Sequence, residues 1–307
     1  MQPILFHLDS TKNGTPYKRQ VVVFPDRQIG KEGGYGKVFE ACYADNRNER
    51  LAVKVLKPEL YNNPIARERF RREGVFFRFI RHPNLVETEG YAEEGGRCYV
   101  VTRFIKGQTL QQIFDDNRNL FTEQQIVSQY IIPLLNVLSF LHHEHRVIHR
   151  DLKATNIIVE SGSGNLRLID LGIAKIHDLP SLTKPNQKGP LTEQYAPPEM
   201  INNRYPPAPA TDLYSLGILL YLMLTRRLPF EHTNAAALYE MILNKPLPYH
   251  NQINPEMWMI LSKLTDKDLP KRYQSVAEVW DDLFPPPKKK ISPWDSLLSL
   301  LKKTQKK

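Results

Sequence analysis

The sequence predicts an α+β fold in two lobes, a β-rich half followed by a larger helical half. Runs of β-branched and aromatic residues gather between residues 20 and 56 and again between 85 and 102. Beyond residue 107 the apolar residues fall at helical spacing instead. At 307 residues, with 41% apolar and 24% charged residues, the chain has the size and composition of an ordinary soluble globular protein with room for two cores.

The elements follow in order. Residues 1–19 read as a mixed, polar N-terminal extension, with turn signals at Asn13-Gly14 and Thr15-Pro16. Strands are expected at Val21-Val22-Val23-Phe24, at 38–43 and at 51–56, with glycines 30, 33, 34 and 36 between the first two. Residues 64–81 read as a helix stopped by Pro83, and 85–102 as two strands about the Glu93-Glu94-Gly95-Gly96 turn. Thr122 with Gln125 makes a capping box for a helix reaching about His142. Its apolar stripe is Ile126, Tyr130, Leu134, Leu138 and Leu141, and Pro133 is expected to bend it or remove a hydrogen bond. A short hairpin follows, then helices over 199–284. The apolar run 213–224 falls well short of the ~20 residues that span a bilayer and is expected as a buried helix.

Charge and cysteine usage narrow the function classes. Seven lysines against one aspartate give residues 288–307 a net +6, leaving +3 for the first 287 residues of a chain whose total is +9. The body is nearly balanced, so a specific nucleic-acid surface is not expected. Cys42 and Cys98, lone thiols in strand-like segments, fit a reducing compartment. The start lacks the basic and apolar blocks of a secretory signal, so a cytoplasmic location is expected. The tail, 285–307, opens with three prolines and then offers Trp294, Leu297, Leu298 and Leu301 on one helical face beside lysines. Such a stretch suits an acidic partner or an anionic membrane surface, docks on the chain's own body, or is a solvated end.

The most informative stretch is His149-Arg150-Asp151-Leu152-Lys153-Ala154-Thr155-Asn156. An acid, an ammonium and a carboxamide lie within six residues, and a second acid, Asp170, follows nineteen positions after Asp151. This set suits nucleotide phosphates and Mg²⁺, which needs only one or two protein oxygens besides the phosphates.

These residues resemble the catalytic loop and metal-binding Asp of the eukaryotic-like (Hanks-type) serine/threonine protein kinases. The resemblance covers about residues 20–284 and extends to ten ordered motifs. Gly172-Ile173-Ala174-Lys175 and Tyr195-Ala196-Pro197-Pro198-Glu199 are nearest in pattern to bacterial-type members. It implies a two-lobed protein kinase fold: an N-lobe (about 20–105) of antiparallel sheet with one main helix, and a larger helical C-lobe (about 106–284). It also implies ATP and Mg²⁺ as cofactors and Ser or Thr of a protein as substrate.

Residue by residue, the resemblance gives the following roles. Gly30, Gly33, Gly34 and Gly36 would form the phosphate loop, although the first glycine position holds Lys31, with Gly30 one residue early. An extra residue in the first strand would account for the offset. Lys54 would hold the α- and β-phosphates and pair with Glu73. Val38, Ala52 and Ile158 would sandwich adenine, Thr102 would guard the back of the pocket, and main-chain groups from Arg103 to Ile105 would read the base. Arg103 replaces the usual acid and is expected to alter hinge polarity. Asp151 would orient the acceptor hydroxyl and take its proton, with Lys153 neutralising the moving phosphoryl group. Asn156 and Asp170 would bind Mg²⁺, and Thr192 would contact Asp151 and Lys153. Glu199 would pair with Arg272. Arg150 would sense a phosphate placed on Ser181 or Thr183 by autophosphorylation. The rival readings are a catalytically silent scaffold and a kinase acting on small molecules.

Overall fold

The computed structural model describes residues 2–12, 15–30, 32–116, 121–170, 191–202 and 204–285. Six antiparallel strands build the N-lobe: β1 (Ile4–Lys12), β2 (Thr15–Ile29), β3 (Gly36–Tyr43), β4 (Arg50–Leu56), β5 (Thr88–Glu94) and β6 (Arg97–Arg103). Their spatial order is β1-β2-β3-β4-β6-β5. The sheet curls until its outer strands meet, and the His7 amide of β1 donates to Glu94 Oε2 of β5 at 2.8 Å. Phe6, Leu8, Val21, Val23, Val53 and Val101 fill the interior of this curl, with the Phe6 ring stacked 4.0 Å from Tyr99.

Within the segment read as a mixed, polar N-terminal extension, residues 4–12 form a strand of the sheet. Alternation explains it, since Phe6 and Leu8 point inward while Leu5 is 53% exposed. Strand β2 carries a bulge, where the four residues 24–27 stand against the single residue Glu40 of β3, a larger insertion than the one extra residue invoked for the glycine offset. Pro25, which has no amide to give a ladder, lies within it.

Helix α1 (Pro64–Phe76) is capped by the Asn63 side chain, which accepts from the amides of Ile65 and Ala66. Its Phe70 packs with Leu56, Cys98 and Val100 on the face of the sheet opposite the curl's interior. The helix stops short of the expected Arg81 because Phe77 and Ile80 turn down into the C-lobe core. Both cysteines are buried free thiols.

The C-lobe is helical around a small sheet of β7 (Gly107–Thr109), β8 (Ile157–Glu160) and β9 (Leu166–Leu168). Its helices are α2 (Leu110–Asp115), α3 (Glu123–Ile126), α4 (Ile132–His143), α5 (Pro198–Asn202), α6 (Pro209–Thr225), α7 (Ala235–Asn244), α8 (Pro255–Leu264) and α9 (Val276–Leu283). One wide turn, Val127–Ile131, joins α3 to α4, with the Ile132 amide donating a hydrogen bond to the Val127 carbonyl. That turn absorbs the amide missing at Pro133, so the helix runs on through the proline. By length and composition alone Glu123–His143 could cross a membrane. Leu134, Leu135, Val137, Leu138 and Leu141 are instead completely buried in the C-lobe core, beside α6.

Phe6→Ala is expected to lower stability by ~3 kcal/mol in urea unfolding, because it opens a cavity against Tyr99. Leu5→Ala, one residue away on the outer face, is expected to stay within about 0.5 kcal/mol.

Candidate active site

One buried carboxylate fixes the loop between α4 and β8. Asp212 of α6 is fully buried and accepts the amides of His149 and Arg150, each at 2.8 Å. His142 Nε2 of α4 lies 2.7 Å from the same carboxylate. Held by both amides, Arg150 adopts φ +67°, a left-handed conformation that costs a non-glycine residue ~1 kcal/mol or more. The next residue is thereby turned toward the cleft. The Asp151 amide donates to His149 Nδ1 at 3.2 Å, and burial pushes the His149 imidazole down, keeping that nitrogen an acceptor.

The Asp151 carboxylate accepts from Lys153 Nζ at 2.9 Å and from Asn156 Nδ2 at 3.1 Å. Asn156 Nδ2 also donates to the Asp151 carbonyl at 2.9 Å. With its amide nitrogen committed there, the Asn156 side chain has its oxygen to offer a cation. The β8–β9 hairpin pairs Ile157 with Leu168, and the Ile169 amide donates to the Asn156 carbonyl at 2.9 Å. Asp170 thus emerges beside Asn156, and a carboxylate with a carboxamide oxygen is a hard donor set suited to Mg²⁺. Among the described residues no cluster of three His, Cys, Asp or Glu could hold a metal by itself. Phosphate oxygens of a bound nucleotide would have to complete such a shell.

Lys54 of β4 joins the lobes. Its Nζ lies 3.0 and 3.1 Å from the two Glu73 oxygens and 3.2 Å from Asp170 Oδ1. Burial opposes its charge, but Asp170 and Glu73 outweigh burial and hold the ammonium above its usual range. Burial lifts the Glu73 carboxyl against the pull of Lys54, with the charge of Asp170 adding to the lift.

Strand register assembles the cleft roof. Val38 stands opposite Lys54, and Ala52 opposite Thr102, so all four share one face of the sheet. Thr102 Oγ1 donates to the Ala52 carbonyl at 3.3 Å. Ile158 of β8 pairs with Thr109 and Arg167 in the C-lobe sheet. Gly36 opens β3 where a Cβ would stand 2.4 Å from the Val55 carbonyl oxygen, so only glycine fits. The Gly33 amide donates to the Gly36 carbonyl at 3.0 Å, while Gly34 is exposed and Gly30 sits at φ +67° just past β2. Lys31 lies outside the described residues.

The matching family is the protein kinase domain, over residues 25–284. The chain belongs to the protein kinase family. It is 32% identical over 270 residues to a probable serine/threonine-protein kinase PknB of Lactococcus lactis, covering 85% of this chain and 42% of that protein. To a probable PknB of Bifidobacterium longum it is 34% identical over 273 residues, 84% of this chain and 39% of that one. To CBL-interacting protein kinase 31 of Oryza sativa it is 28% identical over 256 residues, 83% and 56% of the two chains. The chain spans about two fifths of the length of the two bacterial relatives.

Within this kinase fold the structure adds contacts that sequence reading missed. Arg69, buried in α1, donates to the Tyr35 hydroxyl at 2.9 Å and so ties the glycine loop to the helix that carries Glu73. Its place on the inward face with Ala66, Phe70 and Glu73 was the available signal. Glu32, beside the glycines, is held by Lys37 at 3.1 Å and Lys57 at 3.0 Å, and hydrogen bonds from these lysines keep its carboxyl low.

The hinge differs from expectation in one respect. The Arg103 side chain does not add polarity to the cleft side of the hinge, because its guanidinium pairs with Glu89 at 2.6 Å and Glu49 at 3.1 Å. The amides of Arg103 and Phe104 are committed to the carbonyls of Glu87 and Arg50.

Below the cleft, Leu191–Tyr195 forms a tight turn, and the Tyr195 carbonyl accepts from Ser215 Oγ at 2.9 Å. Thr192 has its backbone in that turn, while its expected side-chain contact lies outside what is described, as do Ser181, Thr183 and the tail 286–307. Glu199 and Arg272 form a two-pronged ion pair at 2.8 and 3.0 Å, both nearly inaccessible to solvent.

Arg272→Leu would leave the Glu199 charge buried and uncompensated, with an expected loss of ~3–5 kcal/mol in denaturant unfolding. Asp212→Asn places an amide donor against two main-chain amides and His142. Its expected cost is ~1–3 kcal/mol by thermal melting. Nucleotide titration of the same variant should show little change, since Lys54 and Glu73 are untouched.

Proposed function

We propose that the chain is an ATP- and Mg²⁺-dependent serine/threonine protein kinase. The carrying observation is the closed Lys54–Glu73–Asp170 contact facing a formed Asp151–Lys153–Asn156 loop. These groups support phosphoryl transfer, a reaction in which positioning and electrostatics supply nearly all of the catalysis.

In this reading Lys54 binds the α- and β-phosphates while Glu73 keeps its ammonium aimed into the cleft. Asp170 and Asn156 hold the metal, and Mg²⁺ when bound neutralises charge on the phosphate oxygens. Asp151 orients the acceptor hydroxyl and accepts its proton at a carboxylate oxygen. Lys153, already 2.9 Å from that carboxylate, places positive charge beside the transferring group. Lysine two residues after the catalytic aspartate supports a Ser or Thr acceptor. The segment 173–191 supplies Ser181 and Thr183 as autophosphorylation sites that Arg150 would bind. The lysine-rich tail supports contact with an anionic surface or acidic partner from a cytoplasmic position.

The test is transfer from labelled ATP with Mg²⁺, to itself and to a generic basic protein, beside Asp170→Ala. Transfer is expected from the natural chain, with label in 173–191, and a fall of at least ~10³-fold in the variant, as befits loss of the metal's electrostatic stabilisation. A natural chain that binds ATP and transfers nothing would make the fold a scaffold.

A further inference from the structure

A closed ring of side chains lies at the back of the N-lobe. The Arg19 guanidinium of β2 stacks 3.4 Å over the Tyr43 ring of β3. The Tyr43 hydroxyl donates to Glu89 of β5 at 2.9 Å, and Glu89 pairs with Arg103 of β6 at 2.6 Å. Arg103 pairs in turn with Glu49 at 3.1 Å, and Glu49 with Arg19 at 3.2 Å, which closes the circuit. Asp45 braces Arg19 from outside at 2.7 Å. Burial and the charge of Glu89 push the Tyr43 phenol up, so it remains a donor. Five elements meet in this ring: β2, β3, the β3–β4 turn, β5 and the end of β6.

Two features set the ring apart from ordinary surface ion pairs. Arg103 is the residue at which β6 passes into the hinge, so its main chain is fixed by the Glu87 carbonyl and its side chain by two carboxylates. Arg19 belongs to the N-terminal hairpin and precedes residue 25, where the family match begins. We propose that the ring positions the hinge for adenine, with Arg19, Glu49 and the Arg103 side chain acting as positioning residues for nucleotide binding. The hairpin of β1 and β2 thereby becomes part of the nucleotide site without touching it. Main-chain recognition of a planar base tolerates little displacement, and partners that fix the supporting strand govern how well the edge is presented. The ring acts on binding and leaves the phosphoryl-transfer groups alone, since Asp151, Lys153 and Asn156 are in the other lobe.

The inference rests on the kinase reading for its ligand. Mg-ATP affinity is therefore measured by calorimetry alongside steady-state transfer, for Arg19→Leu, Glu49→Gln, Arg103→Leu, Arg103→Lys and the Arg19→Leu/Arg103→Leu pair. We expect each single variant to weaken Mg-ATP binding and raise KM for ATP about 5-fold, with kcat within about 2-fold. Arg103→Lys keeps the charge but lacks the fork that spans two carboxylates, so it should remain impaired. The double variant should lose less than the product of the singles, because both break the same circuit. Lowered melting temperatures with Mg-ATP affinity unchanged would overturn the inference, as would a fall in kcat alone. A natural chain that binds Mg-ATP without transferring phosphate would sink the enzymatic reading but leave the ring to stand or fall on affinity. No binding by the natural chain would overturn both.

Discussion

The Lys54 ammonium is the point on which both lobes depend. Taking such a charge out of water costs several kcal/mol, which only close opposite charge offsets. Glu73 and Asp170 supply it from different lobes, one on α1 and one beyond β9. The contact therefore requires α1 against the sheet, β4 in register with β3 and β6, and the β8–β9 hairpin beneath. It also leaves the three charges inside the cleft, where a triphosphate and its metal would redistribute them. In the proposed reading the same interaction, a strut in the free protein, would become a grip on the ligand.

The two lobes are held by different physics. The C-lobe rests on an extensive apolar core centred on α4 and α6, with buried polar groups that are few and matched: Asp212 to two amides and His142, Glu199 to Arg272. Each of these is costly to break because the surviving partner stays buried. The N-lobe has a smaller core inside its curled sheet and spends more charge at its margins, in the ring of Arg19, Glu49, Arg103 and Glu89 and the Lys37–Glu32–Lys57 cluster. Partly exposed pairs of this sort contribute little one by one, and their value is geometric.

Much of this was legible in the residues because the chemistry is local. The Asp151 to Asn156 spacing, the Thr122 capping box and the Val38, Ala52 and Lys54 strand positions are short-range patterns, and the structure places them in the cleft or at the helix start. What escaped needed long-range information. Strand β1 carried the period-two signal of Ile4, Phe6 and Leu8 and the hairpin signal of Asn13-Gly14, but its polar end masked them. The contacts of Arg69 and Arg103 were not legible because their partners, Tyr35, Glu49 and Glu89, lie 14 or more positions away in the chain. Pro133 was expected to bend its helix or remove a hydrogen bond, and the wide turn just ahead of it is where the missing amide is absorbed.

The meeting of β1 with β5 has a bearing on how the protein behaves when shortened. A six-stranded sheet with open sides would show two rows of unsatisfied amides and carbonyls, a template for joining other chains edge to edge. Here the first strand leans on the last, and His7 and Glu94 stitch the seam. A chain trimmed to the matched region, 25–284, would lose β1 and most of β2 while keeping the catalytic groups. It would expose the flank of β3 and the interior face of Tyr99, so its first failure would be insolubility and self-association, with the phosphoryl-transfer groups still present but the Arg19 brace on the hinge gone.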